Sequence, residues 1–573
     1  MKSPFTHHFN TNYVPSDNEI PAIRDAMYRG EEVLNDIDQK SYEIERRMEE
    51  LRRELQALAE RRETQKREVD ELMALLSPIK RIDDDILTSI FLSVLDVVNC
   101  DHLNISKRHP AVVISHVCQR WRESALSTKL LWRHLHVRIP SYPYHSCSQD
   151  TWRAEIEKLV KMTEMWILRS NDCHLSVEIN ERRSPTLLSP QEGTFVAQCI
   201  EFNTLVALLC SSSPRWKDWH LKTDFPQEQC PNFPTMRLLA VPPQPTPVLT
   251  NAKLYFGVDE YQQESALSKH LVSGPNILSA STLRSLEIGG QVLTHDILDL
   301  PVAWANLERL VFNGYQGGSL YSFDAVQSLR LLKACPNLVT CELAFERDAA
   351  IPTGRAPILL PKLKELLLLP HKYHIPPHFA TSFLLPSLRK LEVTRGYGQF
   401  MSRDHEASGL FELLERFGST LQDVTFCYKP LTESALYHCL QQLPNITSLA
   451  LFSDHRTEIT TSLNNDILGH LSPKFDRAGT TITQLPLCPR IEVFRFRACS
   501  GDLDEEAFVD FIEARRREVN NQPLEGGRRI ARLREVDCGY YDFRSIDPGA
   551  ALRKRGFNME AFSLTKWHYF PTR

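Results

Sequence analysis

At 573 residues the chain is longer than one compact core encloses, so two or more units are expected. With 42% hydrophobic and 24% charged residues it has a globular composition, and a formal net charge of −5 excludes a nucleic-acid binder that relies on bulk electrostatics. Glycine is scarce, 22 against 35 prolines, which is unhelpful to phosphate-cradling loops, and no Walker loop, G-x-G-x-x-G, G-x-S-x-G or H-E-x-x-H occurs.

Residues 1–30 are polar and broken by Pro4, Pro15 and Pro21, the pattern of a disordered lead-in. They lack the apolar core of a secretory signal, and no run in the chain approaches the roughly 20 apolar residues that span a bilayer. The 14 cysteines include no C-x-x-C pair, and most lie inside apolar patterns, as reduced thiols of a cytoplasmic or nuclear protein would. From Leu34 to Leu76 the chain follows one a/d heptad register, Leu34, Ile37, Ile44, Met48, Leu51, Leu55, Leu58, Val69, Leu72 and Leu76, interrupted by Ser41, Arg62 and Gln65. Glu43–Arg47, Glu49–Arg53 and Glu63–Arg67 are opposite charges four apart, in the order that supports a helix. The spacing predicts a long helix over 31–76 that ends near Ser77-Pro78. Its stripe fits a coiled-coil homodimer through 34–76, or packing against the rest of the chain.

The next segment, 77–137, has two helical patterns. Ile82, Ile86, Leu87 and Ile90 recur at helical spacing behind Asp83, Asp84 and Asp85, whose carboxylates suit a helix start. After a polar insert over 97–109, Ile114, Val117, Cys118, Trp121 and Ala125 make one apolar stripe of a helix that begins near Pro110, which gives Cys118 a buried packing role. The run V-C-Q-R-W-R, with Leu130, Leu131 and Trp132 after it, resembles an F-box, specifically the F-box-like proteins of mushroom-forming fungi. Ile82-Asp83 stands where that family has Leu-Pro, while Asp85-Ile86-Leu87 and Ile90-Phe91 keep the rest. The resemblance implies docking onto a SKP-family adaptor, and through it a cullin-based ubiquitin ligase. Ile86, Leu87, Ile90, Phe91, Val117, Trp121 and Trp132 would help form the docking unit.

A proline-rich stretch after Val137 marks a boundary. A helix is then predicted over 151–168, with Ile156, Leu159, Val160 and Met162 or Thr163 near one face, and an alternating strand over 174–179. From residue 200 a kernel of apolar, two residues, apolar, one residue, apolar recurs: Trp216/Trp219/Leu221, Leu283/Leu286/Ile288, Leu307/Leu310/Phe312, Leu338/Cys341/Leu343, Leu363/Leu366/Leu368, Leu388/Leu391/Val393, Leu421/Val424/Phe426, Ile446/Leu449/Leu451, Ile491/Phe494/Phe496 and Leu533/Val536/Cys538. Five kernels follow a proline two residues earlier, at Pro336, Pro361, Pro386, Pro444 and Pro489. Amphipathic helices fill intervals, Leu410/Leu413/Leu414/Phe417 stopping at Gly418 and Leu436/Cys439/Leu440/Leu443 stopping at Pro444. Strand and helix alternation predicts an α/β fold, a curved leucine-rich-repeat solenoid over 138–545 behind the coiled coil and the small all-helical F-box-like domain. The late loop 463–487 and the helix 504–517, with Phe508, Phe511 and Ile512 on one face, also resemble the fungal family. Residues 546–573 read as a tail in which Trp567 and Phe570 can pack back.

Chemistry is sparse. His371, His374 and His378 in HKYHIPPH have neither a cysteine nor a paired carboxylate nearby, so they read as a solvated loop; no metal, cofactor or catalytic constellation is expected. In the last nine kernels the residue between the second and third apolar positions points off the core: Glu287, Val311, Glu342, Leu367, Glu392, Thr425, Ala450, Arg495 and Asp537. This row is either a solvated sheet surface or a face for a client protein, its acidic members suiting a basic segment. The expected function is therefore a non-enzymatic substrate receptor of an SKP-cullin-F-box ligase. The other reading is a scaffold that self-associates through the long helix.

Overall fold

The computed structural model describes residues 4–97, 103–142, 148–181, 190–224, 234–242, 244, 247–257, 274–290, 297–313, 323–347, 351, 354, 356–370, 375–376, 378–394, 409–428, 431–452, 465–477, 482–497, 504–517, 530–538, 546–559 and 562–565. The chain forms two compact units, Met1–Leu87 and Thr88–Arg573.

The first unit is built on one long helix, α1 (Ile20–Leu76). It begins inside the stretch expected to be disordered, because Pro21 falls in the first turn, where a missing N–H costs nothing and a fixed φ suits the helix. Glu19 organises the entry by accepting from the Tyr13 hydroxyl at 2.8 Å and the Ser16 amide at 2.9 Å. Glu49–Arg53, expected at i, i+4, closes at 4.0 Å, and Arg46–Glu50 adds a pair at 3.9 Å. The helix stops at Leu76, before Ser77-Pro78, as the proline demands. No residue of α1 is buried.

The division between units falls within α2 (Asp84–Val97), whose first turn carries Asp84 and Asp85. The single helix expected over 110–125 is two, α3 (Pro110–Ser115) and α4 (Gln119–Ser127). Cys118 separates them with an extended backbone (φ −156°, ψ 172°), and its carbonyl accepts from the Arg122 amide at 3.0 Å to start α4. The β-branched run Val112-Val113-Ile114 resists a longer α3. Arg122 Nε donates to the Ser115 carbonyl at 3.0 Å, satisfying that end. Cys118 is consequently exposed, not buried on a stripe as the periodicity suggested.

The second unit continues as one large parallel sheet in which fourteen strands lie side by side in chain order, a short strand, Phe323–Asp324, pairing off this path. They are β1 (His134–Ile139), β2 (Leu175–Glu181), β3 (Trp216–Asp224), β4 (Asn251–Gly257), β5 (Ser285–Gly290), β6 (Arg309–Asn313) and β7 (Thr340–Arg347). After them come β8 (Glu365–Pro370), β9 (Lys390–Val393), β10 (Asp423–Cys427), β11 (Ser448–Phe452), β12 (Val493–Arg497), β13 (Glu535–Asp537) and β14 (Ser563–Thr565). Every apolar residue of the ten kernels is buried, so the kernel periodicity marks one covered face. The closing residues are not a tail: β14 extends the sheet, preceded by the helix Pro548–Lys554. Trp567 and Phe570 lie outside the described residues.

The recurrent proline has a local cause. At Cys335-Pro336, Leu360-Pro361, Leu385-Pro386 and Cys488-Pro489, the carbonyl before the proline accepts from the amide of the kernel's first residue at 3.2–3.4 Å. That is a β-turn with proline at its second position, where the ring pre-sets φ. The residue between proline and kernel then reaches back one repeat: Asn337 Nδ2 donates to the Ala305 carbonyl at 2.8 Å, Asn445 Nδ2 to Ser419 at 2.8 Å and Ser387 Oγ to Pro361 at 2.6 Å. Side chains thus bolt each turn to the one before it.

Helices cover the kernel side where predicted. In Leu410–Phe417, Leu410, Leu413, Leu414 and Phe417 are all buried. Gly418 ends that helix for want of space, since a Cβ there would sit 2.1 Å from the Gln442 carbonyl oxygen. In Gln149–Ser170, Thr163 rather than Met162 faces inward with Ile156 and Leu159. The segment read as a late loop holds a helix, Asn465–Leu471, and a short antiparallel pair. Near it, on the helix Glu505–Arg516, Arg515 is buried at 2% exposure and donates to the carbonyls of Leu471 (2.7 Å), Leu487 (2.8 Å), Cys488 (3.0 Å) and Pro489 (3.3 Å). Burial lowers its pKa to about 10, which leaves it charged at neutral pH. Arg515→Met removes those bonds and strands the carbonyls, and should cost roughly 3 kcal/mol or more in a urea titration; a loss below about 1 kcal/mol would contradict this account.

Candidate functional site

Two surfaces emerge. The first is helical. α2 carries two apolar faces: Leu87, Phe91 and Leu95 are buried at i, i+4 and i+8, whereas Ile86, Ile90 and Val97 are 54%, 37% and 85% exposed at i, i+4 and i+11. A helix needs only one stripe for a core, so the second requires another explanation. Trp121 is half-buried, its ring edge-on to Phe91 at 4.9 Å, and Val113 and Val117 on and after α3 are exposed. Thr88 and Ser124 hydroxyls, 3.4 Å apart, join α2 to α4.

Trp132 belongs to the interior. Its Nε1 donates to the Ala125 carbonyl at 2.9 Å, its ring meets Trp166 at 4.8 Å, and the Arg169 guanidinium lies over it at 4.5 Å. Trp166 Nε1 in turn donates to the His134 carbonyl of β1 at 3.0 Å. Among the residues expected to form the docking unit, Leu87, Phe91 and Trp132 are therefore buried, whereas Ile86, Ile90 and Val117 are exposed and Trp121 is half-buried. The sequence reading grouped them because helical periodicity places residues on a helix without saying which of two stripes faces solvent.

His109 fixes the start of α3. Its Nδ1 accepts from the Ala111 amide at 3.2 Å, and its ring stands edge-on to Trp166 at 4.8 Å. Burial, with a smaller contribution from nearby His134, holds its pKa down to about 4. The folded chain thus keeps this imidazole neutral while the unfolded chain protonates it near 6.5. Its contribution is complete above about pH 6.5 and diminishes as pH falls towards 4, by about tenfold in the folding constant per pH unit. His109→Asn keeps a capping acceptor without the titration, so the wild type should lose about 2 kcal/mol more than the variant between pH 7 and pH 5. Parallel losses in urea titrations would remove His109 from the account.

The second surface is the outer face of the sheet. Register places His136, Glu178, His220, Lys253, Glu287, Val311, Glu342, Leu367, Glu392, Thr425, Ala450, Arg495 and Asp537 in one row across thirteen strands. The row is not an open acidic strip. Glu287, 8% exposed, takes the Tyr255 hydroxyl and lies 3.2 Å from Arg309 and 3.7 Å from Lys253. Burial alone would raise its pKa; Tyr255, Lys253 and Arg309 outweigh that and leave it lowered, so it is ionised and already neutralised. Burial, and then the bond to Glu287, pushes the Tyr255 hydroxyl up.

Elsewhere along the row, Glu178 lies between His136 Nε2 at 3.3 Å and His220 Nδ1 at 3.5 Å. Glu392 meets Lys390 at 3.9 Å, and Arg495 meets Glu535 at 3.4 Å. Glu342 and Asp537 are half-buried, and Val311 is buried. Glu287 and Glu392 therefore come with cations, and Glu178 with two histidines. His136, Glu178, His220, Lys253, Tyr255 and Arg309 escaped the sequence reading. β1, β2 and β4 do not fit the kernel template, and only β2 is expected, from its alternation; His220 and Arg309 lie on the kernel strands β3 and β6.

No family model matches the chain, and none of the curated proteins compared with it is detectably similar. Among the described residues no helix is long and apolar enough to cross a membrane, and no group of three or more His, Cys, Asp or Glu side chains is placed to hold a metal. His371 and His374 lie outside the described residues. His378 donates its backbone N–H to Glu412 at 3.0 Å, at a φ of +65°.

Proposed function

We propose that this protein is a non-enzymatic substrate receptor, with α2 to α4 acting as an F-box-like module that docks a SKP-family adaptor and, through it, a cullin-based ubiquitin ligase. The observation that carries the reading is the second apolar face of α2, Ile86, Ile90 and Val97, exposed behind a packed Leu87/Phe91/Leu95 face. Exposed Val113 and Val117 and the half-buried Trp121 add apolar surface of the kind an adaptor's groove takes. The parallel sheet is read as the strand face of a curved leucine-rich-repeat solenoid, supported by kernels 25 residues apart at 338, 363 and 388 and by their unbroken register. In this reading the sheet's outer row selects the client by mixed charge and shape. The contribution to chemistry is proximity alone. Among the described residues no cysteine forms a disulfide, which suits the cytoplasm or nucleus, where such ligases act.

Capture of a purified SKP-family adaptor by the full chain tests the reading. Ile90→Asp places a charge on the presented face and should weaken capture by about tenfold or more. Trp121→Ala should weaken it as well, and Leu126→Asp, on another exposed part of α4, should not. A wild-type chain that binds no such adaptor would overturn the proposal.

A further inference from the structure

The long helix exposes an entire apolar seam. Leu51, Leu55, Leu58 and Leu72 are 56–72% exposed, and no residue of α1 is buried. Helices gain most of their stability from packing an amphipathic face, and a seam with 3.5-residue repeats is complementary to another of the same period. The charges beside the seam identify which one and in which direction.

In a parallel, in-register pair of copies each g position meets the e position five residues on in the other helix. Arg47 would then face Arg52, Arg61 would face Lys66, and Arg62, on the seam itself, would meet its own counterpart; only Lys40–Glu45 is favourable. Turning one helix around makes g face g and e face e. With Leu55 of one copy opposite Leu58 of the other, Arg47 faces Glu68, Glu54 faces Arg61 and Glu45 faces Lys66, all of opposite sign and each repeated by the two-fold axis. Arg62 then lies across from Leu51, where its stem covers the leucine and its head reaches water. Sliding the antiparallel pair by one heptad brings Glu54 against Glu54 and Arg52 against Arg52 in one direction, or Glu54 against Glu68 and Arg61 against Arg61 in the other. Charge excludes the neighbouring registers as well as the parallel one.

We propose that α1 docks onto α1 of a second copy as an antiparallel coiled coil centred on Leu55 and Leu58, with Arg47–Glu68 and Glu54–Arg61 fixing its direction and register. Overlap from Ile37 to Leu76 makes a rod of about 60 Å. The inference does not depend on adaptor docking.

Sedimentation of the full-length protein tests it, because one substitution has opposite effects in the two orientations. Arg47→Glu opposes Glu68 in the antiparallel pair but would relieve the Arg47–Arg52 clash of a parallel one. Two symmetry-related pairs change sign, so the dimer dissociation constant should rise about tenfold. Glu68→Arg should do the same, and the double variant R47E/E68R should return to near the wild-type value. Arg47 and Glu68 are about 30 Å apart along one helix, so rescue between them requires two chains. A monomeric wild type, a tighter R47E dimer, or a double variant as weak as either single one would each overturn the proposal.

Discussion

A parallel strand leaves its amide and carbonyl groups unsatisfied unless a neighbour of the same direction lies beside it at the same height, and in this protein that alignment is made before the strand begins. The turn residue at each entry donates its amide to the matching residue of the preceding repeat: Thr250 to Lys217, Arg284 to Thr250, Glu308 to Arg284, Val339 to Glu308, Lys364 to Val339, Arg389 to Lys364 and Gln422 to Arg389, all between 2.7 and 2.9 Å. Once the entries are level, every kernel residue falls at a fixed height and on a fixed face, because strand side chains alternate. Burial of the kernel and alignment of the outer row are two results of that one ladder. The prolines and the Asn or Ser after them act upstream of both, by setting the turn and tying it to its predecessor.

The same ladder explains why the helical module is continuous with the sheet. β1 is the first rung, and it follows Trp132 directly. Trp132 and Trp166 stack edge to face, and each indole nitrogen finds a backbone carbonyl, one on α4 and one on β1. Buried indoles gain most when the N–H is satisfied. The two tryptophans therefore fix α4, the helix Gln149–Ser170 and the sheet edge at one point, and His109 joins that point as a neutral ring. Polar groups follow the same economy on the outer face, where Glu287 is acceptable at its depth because Tyr255, Lys253 and Arg309 surround it.

Much of this was legible in the sequence, and what escaped has physical reasons. Leu338/Cys341/Leu343 and its counterparts announce strands because parallel strands under helices bury one face completely. β4 was missed since Ala252 stands where the template wants a large residue, although Ala252 is fully buried. Gly418 looked like an ordinary helix stop; its φ of −55° shows that the nearby Gln442 carbonyl, not a left-handed backbone, is what requires glycine. Arg515 sits in a basic R-R-R run that periodicity does not mark as buried, yet four carbonyls around it are what its planar donor fork matches. For the candidate site, periodicity found the correct residues of α2 but could not divide Leu87 and Phe91 from Ile86 and Ile90. Cys118 broke the next helix through backbone conformation, which an apolar stripe does not encode.

Two apolar surfaces exposed among the described residues, the outer stripe of α2 and the seam of α1, differ in what they ask of a partner. A stripe of Ile86, Ile90 and Val97 is short and carries little charge of its own, so shape and apolar area have to select its occupant. The α1 seam is long and flanked by charges of both signs, so direction and register are selected electrostatically even though the aliphatic seam supplies most of the attraction. Joined in one chain they reinforce each other. If two copies pair through α1, each assembly carries two α2 stripes, and a weak single contact becomes a strong one for any ligase that presents two adaptors, since the second contact forms at the high local concentration set by the first. If α2 docks an adaptor as proposed, the departure at Ile82-Asp83 from the Leu-Pro of F-box-like proteins would cost less in a dimer than in a monomer, because paired contacts tolerate a looser individual fit.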